Sequence, residues 1–100
     1  MAATLVSPFD ADDVALSTTA ALIYTSDPKF ASVNKPETII VQNLDASIIV
    51  TVGPSNVTSL SHGVVLATQY DSITIEFNHG GIEVYAIAAS GTPNVVVARV

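Results

Sequence analysis

Turn-forming residues divide this chain so regularly that few folds can accommodate it. Asp27-Pro28, Asn34-Lys35-Pro36, Asn43-Leu44-Asp45, Gly53-Pro54-Ser55-Asn56, His62-Gly63, Asn78-His79-Gly80-Gly81 and Gly91-Thr92-Pro93-Asn94 each bring Gly, Pro, Asn or Asp to a point where the backbone can reverse. Short segments rich in Val, Ile, Thr and Tyr lie between them. Strands of about five residues separated by turns every eight to twelve are the pattern of an antiparallel sandwich or barrel. Strands are expected near Ala20 to Thr25, Glu37 to Asn43, Ser47 to Val52, Gly63 to Leu66, Ser72 to Phe77, Glu83 to Ala88 and Asn94 to Val100. Around Val14 to Thr18 the residues fit either an eighth strand or a helical turn capped by Asp12 or Asp13. The expected fold is all-β: an antiparallel β-sandwich, jelly-roll-like, of about seven to eight short strands. Residues 1–13 are expected to form an N-terminal arm and residues 14–100 a single domain.

The strands differ in how they divide inside from outside. In Ser72-Ile73-Thr74-Ile75-Glu76-Phe77, apolar and polar residues alternate, giving one dry face and one wet face. Thr38 to Val41, Ile48 to Val52 and Asn94 to Ala98 carry apolar side chains on both faces. No long amphipathic stretch is available to supply covering helices. Only 12% of the residues are charged, against about 25% in an ordinary soluble domain. Both features point to a subunit whose second strand face is covered by a partner, and hence to a permanent oligomer.

Composition excludes several classes. A formal charge of −6, with Lys29, Lys35 and Arg99 as the only basic residues, is the wrong sign for binding nucleic-acid phosphates. There is no cysteine, so neither disulfides nor a thiolate zinc site can hold the chain. No apolar run approaches the roughly 20 residues of a membrane span. The N-terminal residues lack the pattern of a secretory signal, so the protein is expected to be made and used without export.

Few residues could carry chemistry. Asp10, Asp12 and Asp13 form the one acidic cluster, without the glycine and distal bidentate glutamate of a calcium loop, and read as a solvated arm or helix cap. His62 and His79 could be joined on paper with Ser61, Ser90 and Asp71 into a triad. No nucleophile elbow such as Gly-x-Ser-x-Gly is present to build it around. Asn56-Val57-Thr58 matches a glycosylation sequon but reads as turn chemistry. The expectation is therefore no enzyme, no cofactor and no metal. Leu5, Val6 and Phe9, set around Pro8, suit an arm that docks on a neighbour, and Val96 and Ala98 are the candidate contacts on the last strand.

From Thr38 to Val100 the succession Ile49-Val-Thr-Val-Gly-Pro-Ser-Asn-Val-Thr58, Gly63-Val-Val-Leu66, Ser72-Ile-Thr-Ile75 and Tyr85-Ala-Ile-Ala-Ala-Ser-Gly-Thr92 resembles small β-rich virion proteins of tailed bacteriophages, of the head-decoration, capsid-cement or head-fibre type. Glu76 and the Asn78-His79-Gly80-Gly81 turn depart from that pattern. The resemblance implies a structural subunit, a homotrimer made in the host cytoplasm and placed on the virion capsid surface. There it would bind the major capsid protein and stabilise the shell. A head- or tail-fibre module that binds a host receptor or carbohydrate is the alternative.

Overall fold

The computed structural model describes residues 10–27 and 36–99. Eight strands run in chain order: β1 (Asp10–Ala15), β2 (Ala21–Thr25), β3 (Glu37–Asn43), β4 (Val50–Gly53), β5 (Val64–Leu66), β6 (Ser72–Phe77), β7 (Glu83–Ala88) and β8 (Asn94–Arg99). They form two four-stranded sheets, ordered β1-β8-β3-β6 and β2-β7-β4-β5, with every pairing antiparallel. No described segment is helical. The antiparallel β-sandwich expected from the sequence is the architecture found.

Alternation explains how the layers meet. Glu37, Ile39, Val41 and Asn43 of β3 are buried, and the residues between them are half-exposed. Ile39, Val41, Val95 and Val97 from one sheet pack with Val50, Val52, Val84, Ala86 and Ala88 from the other, and Leu16, Leu66 and Phe77 close the ends. The pairings are nested. β4 joins β5, β3 joins β6, β2 joins β7 and β1 joins β8, so the chain behaves as one long hairpin wrapped into two layers.

Three sequence expectations shift. The segment read as an arm up to Asp13 enters the fold earlier: β1 starts at Asp10 and pairs with β8 from Asp10↔Arg99 to Ala15↔Asn94. Alternation on an edge strand leaves Asp13 on a wet face, where an aspartate costs little, so the polar run can be a strand instead of a capped turn. β4 begins at Val50 and not at Ser47, because Asp45 Oδ1 accepts the amides of Ser47 (2.8 Å) and Ile48 (3.0 Å) and curls the chain into a turn. That contact also holds the Asp45 carboxyl below its usual value. Finally, the outer side of β4 is closed by the chain itself. The Leu60 amide donates to Thr51 Oγ1 at 3.2 Å, which folds the loop 54–63 back over Thr51, a residue only 1% exposed. No partner is needed to cover that strand.

The closing of this loop depends on two glycines. A Cβ on Gly53 would run into the His62 carbonyl oxygen, and one on Gly63 into the Val52 carbonyl oxygen. The missing side chains let the ends of β4 and β5 approach backbone to backbone.

Candidate functional site

The outer face of the β1-β8-β3-β6 sheet carries the residues expected to make contacts. The register sets Val96 beside Asp13 and Gln42, and Ala98 beside Ala11 and Ile40. Val96, Ala98 and Ile40 are half-exposed and lie side by side, because even-numbered residues of β3 and β8 share the face opposite the core. Around them are Thr38, Gln42, Thr74 and Ser72. The charges on this face, Asp13 and Glu76, sit on the two outer strands, so the middle is neutral. Leu5, Val6 and Phe9 lie outside the described residues.

A second surface lies at the side of the sandwich where β5 and β6 form the sheet edges. β5 has three residues and β6 has six, so the inward side chains of Ile73 and Ile75 are only half-buried. They line an apolar cleft of about 310 Å³ with Val52, Val64, Ile82 and Val84. Clean alternation in Ser72–Phe77 announces the dry face in the sequence. The shortness of its neighbour across the sandwich is what opens it.

The groups that could have formed a triad stay apart. Ser61 Oγ lies 3.1 Å from His62 Nδ1 in the β4–β5 loop and also bonds Thr58 Oγ1. The Asp71 carboxylate is spent on the Ala67 and Thr68 amides (3.1 and 3.0 Å) in the β5–β6 turn, and those hydrogen bonds, the Thr68 one foremost, hold its carboxyl below the usual value. His79 Nδ1 turns to the Gly80 carbonyl, 3.2 Å away, and the His79 carbonyl accepts Ser26 Oγ at 3.0 Å. Ser90 sits in the β7–β8 turn. Along β1, Asp12 and Asp13 alternate onto opposite faces, and no group of three His, Cys, Asp or Glu side chains suited to a metal occurs among the described residues. Among the described residues no helix is long and apolar enough to cross a membrane.

Sequence reasoning missed one polar cluster. Glu37 is 3% exposed and gathers groups from both sheets. Tyr24 Oη donates to Oε2, Arg99 Nη1 lies 3.5 Å from the same oxygen, and the Asp27 amide donates to Oε1 at 3.1 Å. Tyr24 also stacks on Phe77, with ring centroids 5.8 Å apart. Burial, and then the hydrogen bond to Glu37, push the Tyr24 hydroxyl up to about 12. A cavity of about 130 Å³ adjoins the cluster, lined by Asp12, Val14, Ile23 and Val97 as well as Tyr24 and Arg99. The signal was present: Glu37 shares a strand face with Ile39 and Val41, an inward position that a lone glutamate occupies only when paired.

No protein-family model, no curated protein and no solved structure matches this chain.

Proposed function

We infer that this protein is a non-enzymatic structural subunit that works by laying one sheet face on a larger assembly. Within that class, the reading is a bacteriophage decoration or cement subunit, made in the host cytoplasm and bound to the major capsid protein on the capsid exterior. The observation that carries it is the outer face of the β1-β8-β3-β6 sheet, where Ile40, Val96 and Ala98 form an apolar centre amid small neutral residues. A face with few long charged side chains loses little side-chain entropy and little charge solvation when it is covered. Several hundred Å² buried there contribute several kcal/mol at about 25 cal/mol per Å². Because the subunit binds assembled shell in preference to free chains, it stabilises the shell by mass action. The nested strand order supports reading the sandwich as a jelly roll, an architecture found in viral capsid and lectin domains; that support is an analogy at the level of fold.

Co-sedimentation with assembled shells of the same virion tests the proposal. The protein is expected to pellet with shells and not with unassembled capsid protein, and Val96→Glu is expected to abolish pelleting while the variant stays folded. Absence of shell binding by the unaltered protein would sink the reading.

One observation favours the fibre-module alternative: the pairing Gly53↔Tyr85 brings the loop after β4 and the loop before β7 to the same end of the sandwich. Residues 53–56 and 78–81 would then form a recognition surface. Binding to a glycan array that is lost on replacing Asn78 and His79 would establish it.

A further inference from the structure

A sandwich of two open sheets has four edge strands, and a bare edge offers unpaired backbone groups to any chain that comes alongside. Three of the four edges here are blunted. β1 carries Asp10, Asp12 and Asp13, β2 is interrupted by a register shift between Leu22 and Tyr24, and β5 has only three residues. β6 has no such protection. It runs for six residues in unbroken register with β3, without proline or glycine and with Glu76 as its single charge.

The direction of its backbone groups follows from the ladder. The Asn43 amide donates to the Asp71 carbonyl at 2.9 Å, which makes Val41–Ile73, Ile39–Ile75 and Glu37–Phe77 the hydrogen-bonded pairs of β3 and β6. On the other side of β3, the Leu44 amide donates to the Asn94 carbonyl at 3.2 Å, which requires the same parity. The N–H and C=O groups of Ser72, Thr74 and Glu76 therefore point to the open edge. On the inner side of that edge lie Ile73 and Ile75, which line the apolar cleft.

We propose that β6 is a self-association edge: two copies pair antiparallel through Ser72–Phe77 about a two-fold axis between their Thr74 residues, merging two four-stranded sheets into one of eight. A second copy fits because it offers the same free groups at the same spacing. Centring the pair on Thr74 sets Ser72 opposite Glu76 and Ile73 opposite Ile75, so apolar residues meet on the cleft side. The two Glu76 side chains then lie about four residues apart along the strands, roughly 14 Å, beyond the Debye length of about 8 Å at physiological salt. Centring on Ile75 would instead set each Glu76 opposite a Thr74, with the other Glu76 only two residues along. A head-to-tail ring, the arrangement a trimer needs, would lay β6 beside the aspartates of a neighbour's β1. The charges thus select a two-fold pair and an even-numbered assembly, whether or not the protein binds a shell.

The chain has no cysteine, so Thr74→Cys places the sole thiol on the axis. Hydrogen-bonded antiparallel residues have Cα atoms about 5.5 Å apart, within disulfide reach. On mild oxidation Thr74→Cys is expected to become a covalent dimer, while Ser90→Cys, in the β7–β8 turn, stays monomeric on denaturing gels. By light scattering the unaltered protein is expected to show twice the 10.3 kDa chain mass, and Thr74→Lys, which sets two ammonium groups face to face on a solvent-facing position, half of that, with a cooperative melting transition that no longer depends on protein concentration. Thr74→Pro gives the same loss without removing a bond to β3, since the amide at 74 faces the open edge. A monomer or trimer by light scattering overturns the proposal. So does a dimer that persists in both variants, or cross-linking no faster at 74 than at 90.

Discussion

Asn43 Nδ2 donates to the Leu66 carbonyl at 3.0 Å and thereby ties β3 of one sheet to β5 of the other. The same amide donates to the Ile48 carbonyl at 3.0 Å, its Oδ1 accepts the Asp45 amide at 2.9 Å, and its own backbone bonds Asp71 and Tyr70. One fully buried side chain thus holds together two sheets and two loops. Replacing it with alanine leaves two carbonyls and an amide without their partner, each worth about 1 kcal/mol or more when stranded. Asn43→Ala is expected to lose at least about 2 kcal/mol in urea unfolding, and Asn43→Asp more at neutral pH, because a carboxylate would face two carbonyl oxygens.

Tyr24 sets an alkaline limit. Its hydroxyl is raised from the ordinary 10.0 to about 12 in the folded chain, so its proton binds more tightly folded than unfolded. The resulting stabilisation is complete below pH 10 and is lost as pH rises toward 12. The melting temperature is expected to fall across that window, and Tyr24→Phe, less stable at pH 7 for want of the Glu37 hydrogen bond, is expected to show a flatter slope. Equal slopes would mean that another group governs alkaline unfolding.

Tyr70 holds a positive φ of 69° and is 62% exposed. A left-handed backbone costs a residue with a Cβ on the order of 1 kcal/mol, and asparagine less. Tyr70→Asn is therefore expected to leave stability unchanged or raise it by roughly 0.5 kcal/mol in thermal unfolding. A loss of more than about 1 kcal/mol would show that the exposed ring makes a stabilising contact.

The glycine pair at the β4–β5 junction has no such latitude. Gly63→Ala drives a Cβ into the Val52 carbonyl oxygen and toward Val57, and the neighbouring strand cannot yield without losing its ladder. A loss of about 2 kcal/mol or more is expected, with hydrogen-exchange protection falling first at Thr51 and Leu60. Uniform loss across the domain would refute a local clash.

β3, β6 and β7 are legible in the sequence at the bounds the structure gives them, because turn formers flank each one and the residues between are rich in Val, Ile, Thr and aromatics. β1 was not, since Asp-Ala-Asp-Asp reads as polar arm and only its place at an edge makes it a strand. The outer-face position of Val96 and Ala98 follows from parity along β8. The Tyr24–Glu37–Arg99 cluster does not follow from local pattern, since its members stand on three strands of two sheets. Likewise, the burial of Thr51 beneath loop 54–63 goes with the Leu60 amide reaching back nine residues to Thr51 Oγ1, a loop closure that strand pattern does not announce. Pattern reports which face a side chain takes, and topology decides what that face meets.

The nested order also prescribes a sequence of events in time. If the β4–β5 turn closes first, each later pairing joins chain ends already drawn together by the one before, so β1 and β8 never have to find each other across the whole free chain. Loop-closure entropy is then paid in small increments. The cost appears as speed: the outermost pair must wait for three others, and a fold so rich in distant contacts is expected to assemble in milliseconds to seconds, with its first and last strands the last to dock.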